Sequence, residues 1–297
     1  MTLGEDEQRR RNRQSRDAWE AFESHRRRVT DELTFALQRA RASSDGRPVR
    51  LLVLGAGNCN DLELATLIAH VDELHLVDLD AESLEAGVAH QQMQHVETVR
   101  RHGGVDLSGV LPWVDASSDL PFGDQAAQTQ FMSHVRSFDP LATFGSAALP
   151  PFDVVASVCL LSQLLEPIVK AVTPQQPLHL PLVQTVRRRH LELLMQWLRP
   201  GGVGFFATDF VSSDTAPELA QVSEAELPAL LQRLVREQNF FTGLNPNVIQ
   251  QLLRGDSEWS SRLARVDSLA PWLWNLGPRV YAVCGWRFET TSSRTPR

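Results

Sequence analysis

The chain has 297 residues, 42% of them hydrophobic and 22% charged, which suits one large α/β domain or two smaller ones and excludes wholesale disorder. Its formal charge of −7 disfavours a nucleic-acid backbone as main partner, although residues 1–50 hold 12 arginines against 9 acidic residues and leave the rest of the chain more acidic still. Three scattered cysteines without a C-x-x-C exclude a disulfide framework or zinc ribbon, no apolar run approaches the ~18 residues of a membrane span, and no apolar stretch follows the arginine-rich N-terminus as a secretory signal requires, so a reducing cytoplasm is expected.

Residues 1–14 are polar and charged and read as frayed. From Ser15 to Arg41, Trp19, Phe22, Val29, Leu33 and Leu37 recur at helical spacing. Ser43 to Pro48 is a loop by composition. Leu51–Leu54 reads as a short buried strand, Asp61–His70 as a helix and Leu74–Val77 as a second strand. The helix that begins at Asp80 carries acids in its first turn, which suits the positive end of its dipole. A weaker strand follows at Glu97–His102. Residues 103–151 are rich in Gly, Pro and Ser, with one helix around Gln125–Val135. Phe152–Val158 is the fourth strand. A proline-punctuated loop, Pro174 to Pro181, leads to an amphipathic helix over Leu182–Leu198, which Pro200-Gly-Gly202 ends. Val203–Thr208 is the fifth strand, and residues 215–255 read as helical. Pro271–Trp274 and Val280–Phe288 flank Asn275-Leu-Gly-Pro278 as a hairpin.

Within this order one stretch stands out. An apolar run ends in Gly55-Ala-Gly57, a helical segment follows, and a second apolar run ends in Asp78. Strand, glycine turn, helix, strand and carboxylate is the arrangement by which doubly wound sheets hold adenosine-containing cofactors. Asp78 stands at the distance where an acid meets ribose hydroxyls. Asp80 is its rival, but its place directly before Ala81-Glu-Ser-Leu84 favours a helix cap.

Together with Pro151-Phe-Asp-Val-Val-Ala-Ser157 and Leu198-Arg-Pro-Gly-Gly202, these segments resemble class I S-adenosylmethionine-dependent methyltransferases, over roughly residues 49–210. The resemblance implies a doubly wound, mostly parallel seven-stranded sheet, a Rossmann-like methyltransferase fold, with the last strand reversed and delivered by the C-terminal hairpin. An N-terminal helical extension (1–47) would precede a cofactor-binding domain (48–290). Insertions at 103–151 and 212–262 would serve as lids or substrate elements, and 291–297 would be a disordered tail. The implied cofactor is S-adenosyl-L-methionine. Its methionine part would meet Gly55, Ala56, Gly57 and Asn58, with Asn60 as a further donor, and its ribose Asp78 beside Leu79. Its adenine would meet Asp106 and Leu107, unless Asp106 is an ordinary turn aspartate. Ser157 ends the fourth strand either as a cofactor contact or as a small residue filling a strand end. The chain departs from the family pattern at Val53, where an acid is common, and at Cys59, where a third glycine is usual.

Other candidates compete with blander readings. Cys159 lacks the Pro-Cys context of a pyrimidine-methylating nucleophile and reads as packing. His25 and Arg26 would meet the methionine carboxylate or form a solvated face. Trp113, Phe240, Phe241, Trp272 and Trp274 line an acceptor pocket or belong to the core. Phe240 to Pro246 reads as a lid. The nine histidines form no metal-binding pattern. The expected activity is methyl transfer to a small-molecule or protein acceptor, with no general base identifiable and the oligomeric state unreadable. An NAD(P)-dependent oxidoreductase and a non-catalytic S-adenosylmethionine-binding protein are the alternatives.

Overall fold

A computed structural model describes residues 3–111, 113, 125–140 and 149–292. The apolar run Arg50–Leu54 (β1) forms the middle of a single sheet, flanked in parallel by Glu73–Asp78 (β2) and Phe152–Val158 (β4). Beyond β2 lies Val99–Gly103 (β3), and beyond β4 lies Leu198–Ser212 (β5), both parallel to their neighbours. The last strand, Val280–Thr290 (β8), enters antiparallel to β5. Its other edge pairs with Leu263–Ser268 (β6) and with Trp272–Asn275 (β7), both antiparallel. The order is β3-β2-β1-β4-β5-β8-β6, with β7 also on β8. This is the doubly wound, mostly parallel sheet with a reversed C-terminal strand expected from the sequence. Strand β6 was not anticipated; its exposed and half-exposed residues alternate too weakly to read as a strand.

Strand alternation divides the core. Leu51 and Val53 pack with Val154 and Ala156 on one face, against Glu23–Ala42 (α2), Leu64–Ile68 (α3) and Ala81–His90 (α4). Leu52 and Leu54 pack on the other face with Gln125–Ser137 (α5), Leu161–Ala171 (α6) and His179–Gln196 (α7). Leu227–Arg236 (α8), Pro246–Gly255 (α9) and Ser257–Ser260 (α10) extend this second layer between β5 and β6.

Three local differences from the sequence reading have physical causes. The helix expected over Ser15–Arg41 forms as α2 after a 3-10 turn at Glu20–Phe22, and most of residues 1–14, expected to be frayed, is a helix of its own, Leu3–Ser15 (α1). Side-chain amides from elsewhere in the fold take the last carbonyls of α1, so its end is capped and not continued. Helix α6 was missed because Pro167 lies inside it; Leu161, Leu165 and Ile168 nevertheless bury one face. Strand β5 begins at Leu198, five residues before the expected Val203. A register shift on β4 and Gly201 at φ +74 absorb the Pro-Gly-Gly segment. Of the expected insertion at 103–151, residues 112, 114–124 and 141–148 lie outside the described residues, as do 293–297 of the expected tail.

Asp153 fixes the edge of the sheet opposite the glycine turn. Only 1% of its side chain is exposed. It accepts from the Arg50 backbone N–H at 2.9 Å and pairs with the Arg199 guanidinium. Asp153→Ala leaves both donors unmatched and is expected to cost about 3 kcal/mol in chemical denaturation. Ligand binding at the far edge should be unchanged in calorimetry.

Candidate functional site

The chain leaves β1 through a turn that few sequences can form. Gly55 and Gly57 have φ of +71 and +48, the left-handed region open to glycine. Cys59, at the position of the usual third glycine, also has a positive φ of +54. A side chain there carries strain, and its complete burial on the apolar face below supports it. The turn is tied sideways: Gly55 and Ala56 donate to the Val77 carbonyl at 2.8 and 3.0 Å.

Asp78 ends β2 directly beside this turn and is 2% exposed. Its Oδ2 accepts from the Gly57 N–H at 2.7 Å and its Oδ1 from the Asp80 N–H at 2.8 Å. Burial pushes its carboxyl up to about 6, against the pull of those backbone donors. Asp80 caps α4, accepting from the Ser83 N–H and hydroxyl at 3.2 and 2.6 Å. Asp80 thus takes the helix-capping role the sequence offered it, and Asp78 is the aspartate that lines the pocket.

A pocket opens over the carboxyl ends of β1, β2 and β3, where the sheet order reverses between β1 and β4. That switch point is where open α/β sheets place ligands. Gly55, Asp78, Leu79, Asp106 and Leu107 line it on one side. Leu160, Gln163, Leu164 and Glu166 line it on the other. Sequence reasoning missed this second wall along with α6. Asp106 closes its own turn, accepting from the Ser108 N–H and hydroxyl at 2.7 and 2.6 Å, while it lines the pocket. Both of its readings thus remain available to the same side chain.

Helix α1 lies across the opening, held by polar groups. Gln8 lines the pocket and its amide donates to Gln163 at 2.6 Å. Arg11 pairs with Glu166, and the Asn12 amide donates to Asp80 at 3.2 Å. Asn58 and Asn60, expected at the cofactor's methionine, instead donate to the carbonyls of Asn12 and Ser15 at 2.6 and 2.7 Å. Removing one such bond costs about 1 kcal/mol, or about fivefold in local opening. Asn60→Ala is therefore expected to speed tryptic cleavage among the arginines of α1 about fivefold while the global melting temperature barely moves.

Several candidates sit elsewhere. Ser157 is fully buried, its hydroxyl 2.8 Å from His190 Nε2 on α7, so it faces the core and not the pocket. Burial lowers that imidazole to about 4. Arg26 is buried, donating to the carbonyls of Trp19 and Asn60 at 2.8 and 3.2 Å. It is a structural tie and no part of a solvated face. Burial pushes the Cys159 thiol up, with Asp209 and Asp61 adding to the effect, which opposes thiolate formation. Trp113 packs on Phe131. The segment at 240–246 is fastened to the body by Phe241 N–H on Phe210 and by Arg187 on the Gly243 carbonyl. Among the described residues no group of three or more His, Cys, Asp or Glu is placed to hold a metal ion.

The residues fit an adenosine-type ligand on the side of β2 and β3, where a buried carboxylate and apolar Leu79 and Leu107 converge. On the side of the glycine turn, a Cβ on Gly57 would already lie 3.4 Å from Asn12 Oδ1. That half is shared with α1. Fold and pocket together define a doubly wound α/β domain with a pocket at its switch point.

No protein-family model and no curated protein matches the chain. Among solved structures it is similar to the N-methyltransferase NodS from Bradyrhizobium japonicum WM9, at 13% identity over 88% of this chain and 96% of that one, with a TM-score of 0.42. It is similar to the O-methyltransferase from Bacillus cereus in complex with SAH, at 10% identity, 88% and 81% coverage and a TM-score of 0.44. It is also similar to CalS10, an amino pentose methyltransferase from Micromonospora echinaspora, at 19% identity, 60% and 50% coverage and a TM-score of 0.32. The chain spans half the length of the last of these.

Proposed function

We propose that the protein binds S-adenosyl-L-methionine at the switch point of its sheet and transfers a methyl group to a small-molecule or protein acceptor. The observation that carries this reading is Asp78. It is a buried carboxylate at the end of β2, bonded across to the glycine turn after β1, and it lines a pocket together with Asp106 and Leu107. The reversed strand β8 supports methyl transfer over hydride transfer, because a nicotinamide-binding sheet would continue with a further parallel unit in place of a hairpin.

When bound, the cofactor supplies an electrophilic methyl on a sulfonium. The chain's own residues bind, orient and exclude water. Asp78 accepts from the ribose diol with the lone pairs its backbone partners leave free. Leu79 and Leu107 cover the base, and Asp106 accepts from its amino group. Gly55 and Gly57 bring backbone against the amino-acid portion, where Asn58 and Asn60 become donors once α1 shifts. Residues 48–290 form the binding domain and 1–47 its cover. No helix among the described residues is long and apolar enough to cross a membrane, and a cytoplasmic setting remains our reading from the free cysteines.

Isothermal titration tests the reading. S-adenosylmethionine and S-adenosylhomocysteine are expected to bind in the micromolar range, and NAD(P)H not at all. Binding of the nicotinamide cofactor alone would reverse the assignment.

A further inference from the structure

The pocket holds room for only part of the ligand proposed for it. Gly55 and Asp78 line it, but Ala56, Gly57, Asn58 and Asn60 do not. Helix α1 stands at that end, with Gln8 in the pocket wall. Its carbonyls at Asn12 and Ser15 accept from the Asn58 and Asn60 amides at 2.6 and 2.7 Å, and the Ser15 hydroxyl oxygen accepts from Asn58 at 3.1 Å. These carbonyls belong to the last turn of α1, the negative end of its dipole. The donors beside the glycine turn thus already hold a negative group, where the proposed function puts the cofactor's amino-acid carboxylate. The Asn12 side chain closes over Gly57, on which a Cβ would lie 3.4 Å from Asn12 Oδ1. Asn58 is 7% exposed and its Oδ1 is buried without a partner, an acceptor suited to the ligand's ammonium.

The hold on α1 is polar. Among the described residues, none of α1 belongs to a buried apolar cluster, so its release exchanges hydrogen bonds for water and uncovers little apolar surface. Several of the groups that hold it have second partners in the body. Glu166 pairs with Arg11 and also with Lys170 at 3.0 Å. Gln163 accepts from Gln8 and donates to the Cys159 carbonyl at 3.1 Å. Asp80 accepts from Asn12 and from Ser83. Asn58 and Asn60 differ, because among the described residues their side-chain amides donate to α1 alone. Release of α1 therefore leaves unmatched the amides beside the glycine turn, and a ligand with a carboxylate restores them.

We propose that α1 is an autoinhibitory segment: Asn12 and the last carbonyls of the helix fill the amino-acid half of the cofactor site, and S-adenosylmethionine binds by displacing them. The proposal rests on the reading of the pocket as an S-adenosylmethionine site. It gives α1 the opposite response to a lid that closes on its ligand, since bound cofactor loosens the helix. The apparent affinity is the intrinsic affinity reduced by the fraction of molecules in which α1 is released.

Tryptic cleavage among the arginines of α1 reads the displacement in the wild-type protein. Saturating S-adenosylhomocysteine is expected to speed it at least about tenfold, because the ligand holds α1 released. Adenosine lacks the amino-acid portion and should leave the rate within about twofold. Slower or unchanged cleavage with S-adenosylhomocysteine, or equal acceleration by adenosine, overturns the proposal. Calorimetry supplies the second measurement. R11E breaks the pair with Glu166 and N12A the bond to Asp80, and each should tighten S-adenosylhomocysteine binding about fivefold. Unchanged or weaker binding in both variants overturns the proposal. Binding by wild type with α1 protected from trypsin keeps the cofactor reading and removes the autoinhibition. Failure of wild type and both variants to bind removes the cofactor reading, and the autoinhibition with it.

Discussion

Asp78→Ala is expected to weaken S-adenosylmethionine binding at least about a hundredfold in calorimetry, from the loss of two charge-assisted bonds to the ribose. The same change frees the N–H groups of Gly57 and Asp80, which the carboxylate holds at 2.7 and 2.8 Å. The glycine turn and the start of α4 then lose their common anchor. Asp78→Asn separates the two effects, since an amide oxygen still accepts from one N–H but carries no charge. Its pH dependence has a defined sign. The folded protein holds the Asp78 proton more tightly than the unfolded chain, with a value of about 6 against an ordinary 3.8. Stability therefore falls as pH rises between those values, by about 3 kcal/mol, and is flat above. Cofactor binding runs the other way, because the diol donates to the ionised form. Affinity should rise about fourfold from pH 5.5 to 7.5 in wild type and lose that dependence in Asp78→Asn.

The second large effect comes from Gly87→Ala. A Cβ built on Gly87 lies 2.2 Å from the Asn58 carbonyl oxygen and 2.3 Å from its carbon. Alanine favours the interior of a helix over glycine by about 1 kcal/mol, but here the clash prevails. The opposing atoms are backbone, and Asn58 cannot retreat because its amide is bonded to α1 and the adjacent Gly57 is bonded to Asp78. We expect a net loss of about 2 kcal/mol in denaturant unfolding. Cofactor affinity should fall more than tenfold, since α4 must push the turn toward the pocket. Gly255→Ala on α9 is the control. Its Cβ meets only the Gln251 side chain at 3.9 Å, so stability should hold or rise. Equal losses at both positions would refute this account of the α4 contact.

The strands β1 to β5, the glycine turn with Asp78 after it and the hairpin at the C-terminus were legible because each leaves a local trace. Apolar residues alternate or run together, glycines mark the turn, and an acid follows at a fixed distance. Gly55, Asp78, Leu79, Asp106 and Leu107 line one pocket because parallel strands deliver their carboxyl ends to one edge. Ser157 sits on the same edge, but a strand shows its side chains alternately to opposite faces, and the sequence did not say which face His190 would occupy.

What only the tertiary structure decided is polar and distant. Asn58 meets Asn12 across 46 positions, Ser162 meets Asp209 across 47, and Trp272 meets His25 across 247. The residues that form α1 past Gln8 are charged or polar, and no periodicity announces a helix that docks through side-chain amides. Burial of apolar surface is additive along the chain and repeats with the helix or strand, so a single sequence encodes it. A hydrogen bond depends on two groups meeting at the right distance and angle, and that meeting exists only once the sheet has brought its edges together.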